Sequence, residues 1–250
     1  MDLVSVIIPY FKKKKFIDYS IKSVLNQTYS NYEIILIYDD KDQVDLEFLK
    51  NNYDLEKKIR FLVNEKNIGA GLSRNRGIEN ANGKYICFID SDDIWEKNKL
   101  ENQINFMKKN EAKICHTSYN IINEKNNIIG KRFAKNFFYY HEILKSCDIG
   151  LSSVMLEKDL ITSEINFCNL KTKEDFVLWL KILKKGTKIF GLNEYLTSWR
   201  KTENSLSSFT FQKLLDGYKV YNKYMGYNFI VSIYYLMCLS LNYLQKKIND

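Results

Sequence analysis

The first half of the chain alternates short apolar runs with segments of helical periodicity. The apolar runs have the length of buried strands, and the segments between them carry apolar side chains on one helical face. Because each strand and its following helix fit within about 30 residues, the pattern predicts βαβ units and a mostly parallel sheet. We therefore predict an α/β fold. The predicted strands are 4–9, 33–38, 59–63, 85–89, 113–119, 128–129, 150–156, 188–192 and 195–200, and the predicted helices are 14–26, 45–53, 96–109, 137–145 and 173–183.

The carboxyl-terminal segment has a different pattern. Residues 227–244 form an eighteen-residue stretch without a charged side chain, and Lys246 and Lys247 follow closely. A membrane-spanning helix needs about 20 mainly apolar residues, and polar residues such as Asn228 and Ser232 interrupt this stretch. We expect an interfacial or subunit-contacting helix. The alternatives are a helix packed on its own domain and a true membrane span.

Acidic side chains follow two of the predicted strands. Asp39 and Asp40 end the second strand, and Asp90, Asp92 and Asp93 end the fourth. Because neighbouring parallel strands end at the same edge of a sheet, we expect these acids to face one crevice. Carboxylate oxygens are preferred ligands of Mg²⁺ and Mn²⁺, which also bridge phosphates. The sequence predicts a metal–nucleotide site, although an acidic turn that caps the next helix would have the same pattern.

Two further segments place ionisable groups at predicted helix starts. Residues 67–81 form a glycine-punctuated loop that enters a helix, and Arg74 and Arg76 are suited to phosphate or to carboxylates. Glu174 and Asp175 open the apolar helix 173–183. They are either ordinary partners of the helix dipole or a general base at a rigid, partly desolvated helix start.

Composition narrows the class of protein. A chain of 250 residues, 45% of them hydrophobic, forms one α/β domain with or without a small appendage. The net charge of +8 favours phosphorylated or anionic partners, and the run 12–15 of four lysines fits a solvated helix start. Because the chain has neither zinc-finger spacing nor an aromatic RNA-binding motif, we do not expect nucleic-acid binding.

The cysteines and the amino terminus indicate a compartment. Five cysteines without a CxxC pair are typical of buried thiols in a reducing cytosol. The apolar run 4–8 is too short for a signal peptide, and its lysines follow it rather than precede it. We therefore expect a cytoplasmic protein.

Several segments, in order, resemble the inverting glycosyltransferases of family 2, which have the GT-A fold. The resemblance covers residues 3 to about 207. The matching segments are 4–10 as the opening strand, 23–29 as the following helix end, 32–40 as the strand before the base-binding acid, 67–77 as the Asn-x-Gly loop and helix, 88–93 as the Asp-x-Asp element, 174–180 as the helix that carries the catalytic base, and 199–200 with 204–207 as the closing segment.

The resemblance implies a role for each matching residue. Asp92 would ligate Mn²⁺ or Mg²⁺ at the donor's diphosphate, and Asp175 would take the proton of the acceptor hydroxyl. Tyr38 stands where the family has the first acid of a pair, which leaves open whether Asp39 or Asp40 contacts the base. The other implied donor-binding residues are Pro9 and Tyr10 at the base, Asp90 at the ribose or a metal-bound water, and Ser91. Arg74 would orient a diphosphate or its neighbouring acids, and Arg200 would contact the departing diphosphate.

The resemblance also implies a function. We expect inverting transfer of a hexosyl or N-acetylhexosaminyl group from a nucleotide-sugar donor, expected to be a UDP-sugar, to a glycan or lipid-linked saccharide of a bacterial surface polysaccharide. The GT-A domain would comprise 1–207, and 208–250 would be a helical extension. The protein would act at the inner face of the cell membrane, with peripheral contact through 227–247.

Three other readings remain open. One is a non-catalytic nucleotide-sugar or glycan-binding protein on the same fold, which the intact Asp90, Asp92 and Asp175 disfavour. Another is a membrane-associated scaffold that depends on the basic charge and the tail. The last is a nucleotidyltransferase, which would not require the Glu174–Asp175 pair at a helix start.

Overall fold

The computed structural model describes residues 1–202 and 210–248 of the chain. In this part of the chain one nine-stranded sheet is flanked by eight α-helices. The strands are β1 (Val4–Tyr10), β2 (Tyr32–Tyr38), β3 (Ile59–Val63), β4 (Tyr85–Phe88), β5 (Ile94–Trp95), β6 (Ile114–Ile122), β7 (Ile128–Arg132), β8 (Val154–Glu157) and β9 (Phe190–Arg200); the helices are α1 (Lys14–Leu25), α2 (Val44–Tyr53), α3 (Ala70–Glu79), α4 (Lys99–Lys109), α5 (Tyr140–Ile143), α6 (Glu174–Lys184), α7 (Thr210–Lys219) and α8 (Phe229–Ile248).

The strand order is β3-β2-β1-β4-β8-β6-β9-β5, with β7 paired to β6 outside this path. Strands β1 to β4 are parallel, as the alternation of strand and helix predicts. Strand β8 lies antiparallel between β4 and β6, while β9 is parallel to β6. The predicted α/β architecture with a mostly parallel sheet is confirmed.

The sheet has a hydrophobic core on each face. Along β1, Ile7 joins one core, while Val6 and Ile8 join the other, as the two-residue period of a strand requires. Helices α3 and α6 cover the first face, and α1, α2 and α4 cover the second. A strand buried on both faces has a continuous apolar sequence, which explains the runs seen in the first half of the chain.

Four predicted elements of the second half of the chain differ from the structure. The helix predicted over 137–145 is only Tyr140–Ile143, because Phe137 instead pairs with Ile189 in a β-bridge. The strand predicted over 150–156 begins at Val154, since 151–153 form a 3₁₀ turn. The strands predicted over 188–192 and 195–200 are one strand, β9, which follows β6 through two register shifts.

The tail forms helices α7 and α8, joined through a π-helical turn at Val220–Tyr224. Val220, Tyr221 and Leu239 are buried in the same core as α6, so one side of the tail packs on the sheet domain. Among the described helices, none combines the length and the hydropathy that crossing a bilayer requires. The predicted boundary at 207/208 and the family-like segment 204–207 lie outside the described residues.

Candidate functional site

The acidic loop after β4 is held in shape by residues from much later in the chain. Asp93 is fully buried, and its carboxylate accepts hydrogen bonds from the Ser152 hydroxyl (2.5 Å) and from the Arg200 backbone N–H (2.8 Å). The Arg200 Nε donates to the carbonyl oxygen of Asp92 (2.7 Å), and the Asp90 N–H donates to the Ser152 hydroxyl (3.0 Å). Asp93 is therefore a structural residue that leaves Asp90 and Asp92 to face the crevice.

Each of these two acids has a cationic partner. The Asp90 carboxylate lies 2.6 Å from the Arg74 guanidinium, and the Asp92 carboxylate lies 2.7 Å from the Lys13 ammonium. Lys13 also donates to the Thr202 hydroxyl (3.2 Å), so it connects the end of β1, the acidic loop and the residues after β9. Lys13 and Arg74 thus relieve the mutual repulsion of acids that lie close together in the sequence.

Arg74 joins the acidic loop to the start of α6. It is almost fully buried in α3, and its second guanidinium nitrogen lies 2.6 Å from the Glu174 carboxylate. Gly71, one turn earlier in α3, permits this approach, because a Cβ atom there would lie 2.9 Å from the Cys168 carbonyl oxygen and 3.1 Å from the Glu174 Cγ. Asp175 follows Glu174 in the first turn of α6 and accepts a hydrogen bond from the Phe176 N–H.

Burial raises the pKa of Asp92, Glu174 and Asp175. It raises the pKa of Glu174 to about 7, although Arg74 opposes the shift. It raises the pKa of Asp175, again against Arg74, and that of Asp92, against Lys13. A carboxylate whose pKa is raised binds a proton more strongly, which suits a general base. Burial therefore sets the basicity of the acids at the start of α6, and Arg74 limits it.

The Asp39 carboxylate organises the loop that enters α3. It accepts hydrogen bonds from the backbone N–H groups of Ile68 (2.8 Å) and Gly69 (2.9 Å) and from the Asn64 amide (2.7 Å). Gly69 has a φ of +88°, which suits glycine at this loop-to-helix junction. Asp40 is buried at the same strand end, with one carboxylate oxygen 3.3 Å from the Asp42 N–H.

The residues expected to line the base pocket lie at the same edge. Pro9 and Tyr10 end β1, and Tyr10 is fully buried with its ring stacked on Tyr38 at 5.2 Å between centroids. The Tyr10 hydroxyl donates to the Asp45 carboxylate (2.5 Å), and burial raises the pKa of Tyr10. Tyr38, the departure from the family pattern, therefore serves as the stacking partner of Tyr10.

The structure gives two cations contacts that the sequence analysis does not predict. The run 12–15 is more than a solvated helix start, because Lys13 pairs with Asp92. Arg200 is 2% exposed, donates to the Asp92 and Asn123 carbonyls and lies 4.8 Å from the Phe16 ring. Arg200 therefore stabilises the acidic loop from its buried side. Ser91 of the same loop is also buried. Sequence reasoning missed Lys13 and Ser152, since only their proximity to the acids in space marks them.

The described residues contain no group of three His, Cys, Asp or Glu side chains arranged to hold a metal ion. Asp90 and Asp92 are the acids that lie at the crevice. A divalent cation here would need further oxygen ligands from a bound molecule, such as a diphosphate.

Comparisons with known proteins agree with this geometry. The family profile described as "Glycosyl transferase family 2" matches residues 5–155, more than half of the chain. The chain belongs to glycosyltransferase family 2. It is 30% identical over 247 residues to the putative teichuronic acid biosynthesis glycosyltransferase TuaG of Bacillus subtilis, with 98% of each chain covered. It is 37% identical to the Escherichia coli UDP-Glc:alpha-D-GlcNAc-diphosphoundecaprenol beta-1,3-glucosyltransferase WfgD, over 94% of this chain and 91% of that one.

Solved structures support the fold of this family 2 protein. The chain superposes on residues 1–349 of S. aureus TarS in complex with UDP-GlcNAc with a TM-score of 0.74 and 21% identity. The match covers 89% of this chain and 65% of that one. The sheet flanked by helices is therefore the GT-A fold, as expected for a member of glycosyltransferase family 2.

Proposed function

We propose that this protein is an inverting glycosyltransferase that moves a sugar from a UDP-sugar to a lipid-linked saccharide in the assembly of a surface polysaccharide. The observation that carries the proposal is the buried Arg74 guanidinium, which bridges Asp90 of the acidic loop and Glu174 at the start of α6. It ties a donor-side acid to Glu174, the residue directly before the candidate base Asp175.

The chemistry follows from the position of these groups. Asp175 takes the proton of the acceptor hydroxyl, which is a poor nucleophile until a base removes that proton. Attack on the face of the sugar opposite the leaving diphosphate inverts the anomeric centre. Arg74 keeps Asp90 and Glu174 in place, and the Lys13 ammonium lies beside Asp92, where negative charge on the leaving diphosphate would be stabilised.

We also propose that Mn²⁺ or Mg²⁺ takes part. Among the described residues no side-chain group holds such a cation alone, so Asp90 and Asp92 would supply carboxylate oxygens and a diphosphate the remaining ligands. The cation would supply Lewis-acid stabilisation of the leaving group. Because the protein alone offers few ligands, donor and cation should bind together rather than separately.

The donor and acceptor classes follow the relatives. WfgD uses UDP-Glc and a diphosphoundecaprenol-linked acceptor by its name, and the TarS structure holds UDP-GlcNAc. For the base, we propose Asp40 as the contact, because the Asp39 oxygens already accept three hydrogen bonds within the protein. A lipid-linked acceptor would place the reaction at the inner face of the membrane.

The test is metal-dependent binding and hydrolysis across a panel of UDP-, GDP- and dTDP-sugars, with Asp92→Ala as the site variant. Asp159→Ala is the matched control, since Asp159 forms only an exposed ion pair with Lys113. We expect one UDP-sugar to bind and hydrolyse slowly with Mn²⁺ or Mg²⁺, in the control but not in Asp92→Ala. Binding without turnover, even with lipid-linked acceptors present, would favour a nucleotide-sugar-binding protein. Binding of no member of the panel would refute the donor site.

A further inference from the structure

Helix α8 exposes a continuous apolar stripe. We use this name for Ile230, Tyr234, Met237, Leu241 and Leu244, whose exposed fractions range from 51% to 78%. At 3.6 residues per turn their spacing places all five within about 80° of one another, along about 21 Å of helix. The opposite side of α8 is accounted for, because Leu239 is buried and Tyr235 stacks on Tyr221. The packing of α8 on the rest of the domain therefore leaves the stripe exposed.

The adjoining helix also exposes large apolar side chains. Phe211, Leu214 and Leu215 of α7 have exposed fractions of 75%, 42% and 42%. Helices α7 and α8 pack closely, since a Cβ atom on Gly217 would lie 2.8 Å from the Leu236 side chain. Large apolar side chains grouped in this way mark an interaction surface rather than scattered surface residues.

A positive charge lies beside the stripe. The Lys145 ammonium lies 5.7 Å from the ring centroid of Tyr234, a residue of the stripe. Helix α8 contains no Asp or Glu. The one acid of α7, Asp216, is 1% exposed and accepts hydrogen bonds from Thr172 and Gln212.

This charge distribution distinguishes two possible occupants. The stripe has the alternating three- and four-residue spacing of a coiled-coil seam, so a second copy of the chain is one candidate. Pairing two copies of α8 would bring lysines together without acidic side chains to neutralise them, which disfavours that partner. An anionic lipid surface instead supplies negative headgroups beside Lys145, and tyrosines are favoured at the membrane interface.

We propose that the stripe of α8 docks this protein onto an anionic membrane. Helix α8 would lie in the plane of the interface, with the stripe at the boundary of headgroups and acyl chains. This inference deepens the proposed function by naming the surface that reaches a lipid-linked acceptor. It rests on that function only for the choice of the acceptor.

The test is flotation with vesicles of phosphatidylcholine alone or of phosphatidylcholine mixed with phosphatidylglycerol. We expect the full chain to float with the anionic vesicles and to be released by salt. Leu241→Asp should lose flotation, whereas Leu55→Asp is the matched control, since Leu55 is 97% exposed and lies outside the tail. Replacing Lys145 with Gln should lower partitioning about fivefold, as expected for one lysine near an anionic surface.

Other measurements separate the possible outcomes. Thermal unfolding of Leu241→Asp checks that the variant is folded, and transfer to a water-soluble acceptor checks the enzyme independently of the membrane. Equal flotation of Leu241→Asp and the control would overturn the proposal. A dimer in analytical ultracentrifugation that Leu241→Asp dissociates, together with no vesicle binding, would assign the stripe to a second copy. Loss of transfer in every protein, with flotation retained, would instead count against the proposed function.

Discussion

Replacing Lys13 with methionine would remove the cation beside Asp92 while keeping most of the side-chain stem. The two side chains are 26% and 15% exposed, so their pair lies between an exposed pair, worth up to about 1 kcal/mol, and a buried one, whose disruption costs about 3–5 kcal/mol. We therefore assign the Lys13–Asp92 pair about 1–2 kcal/mol, which corresponds to a factor of about 5–30 in an equilibrium constant. Without its competitor, Asp92 should bind Mn²⁺ more tightly by that factor, while UDP should bind less tightly when metal is absent.

The assay is titration of each variant with Mn²⁺ at a saturating concentration of UDP, and with UDP in the absence of metal, above neutral pH. Alkaline conditions matter because burial raises the pKa of Asp92, and losing Lys13 would raise it further. Lys15→Met is the control from the same lysine run, since Lys15 pairs with Glu124 and is 67% exposed. Unchanged affinities in Lys13→Met, or equal changes in both variants, would refute the reasoning and return Lys13 to the role of a surface lysine.

Three further predictions concern the start of α6. Asp175→Asn should keep donor affinity and lower the transfer rate by about 10²–10⁴-fold, and near-normal turnover would exclude Asp175 as the base. Arg74→Met should lower the free energy of unfolding in urea by about 3 kcal/mol, because it leaves Glu174 without its cation. The same change should move the acidic limb of kcat/KM to higher pH, since Arg74 lowers the pKa of Asp175; an unmoved limb would contradict this. Gly71→Ala should cost about 1–3 kcal/mol in the same urea assay, because its Cβ would meet the Cys168 carbonyl, and unchanged stability would show that this contact relaxes freely.

The sequence predicted the first half of the sheet because each of its strands is buried on both faces. An apolar run such as 85–89 is suited to a strand that is buried on both faces, so its apolar composition predicts a place inside the sheet. The second half was harder to predict because its partners are distant. Asn193 and Glu194 look like a break between two strands, yet β9 continues through them, and Ser118 of β6 donates a hydrogen bond to Asn193.

The candidate site was predictable where a sequence motif marks a residue. It was not predictable where residues distant in sequence meet only in the folded protein. The strand-end position marked Asp90, and the helix start marked Glu174, but nothing in the sequence indicates that Arg74 touches both. The sequence likewise does not indicate that Arg200 is buried behind the acidic loop, because this burial depends on the path of β9 in the sheet. Contact of Arg200 with the diphosphate stays a prediction.

The contacts of the acidic loop also determine the stage of translation at which the site can form. Strands β1 to β4 are complete once residue 88 has been made, yet the loop that follows depends on Ser152 and Arg200, which are translated much later. Forming such distant contacts requires closing long stretches of chain, which is slow relative to local structure. A nascent or prematurely terminated chain would therefore carry the strands of the nucleotide half without a shaped crevice, and so could not consume donor before the whole enzyme exists.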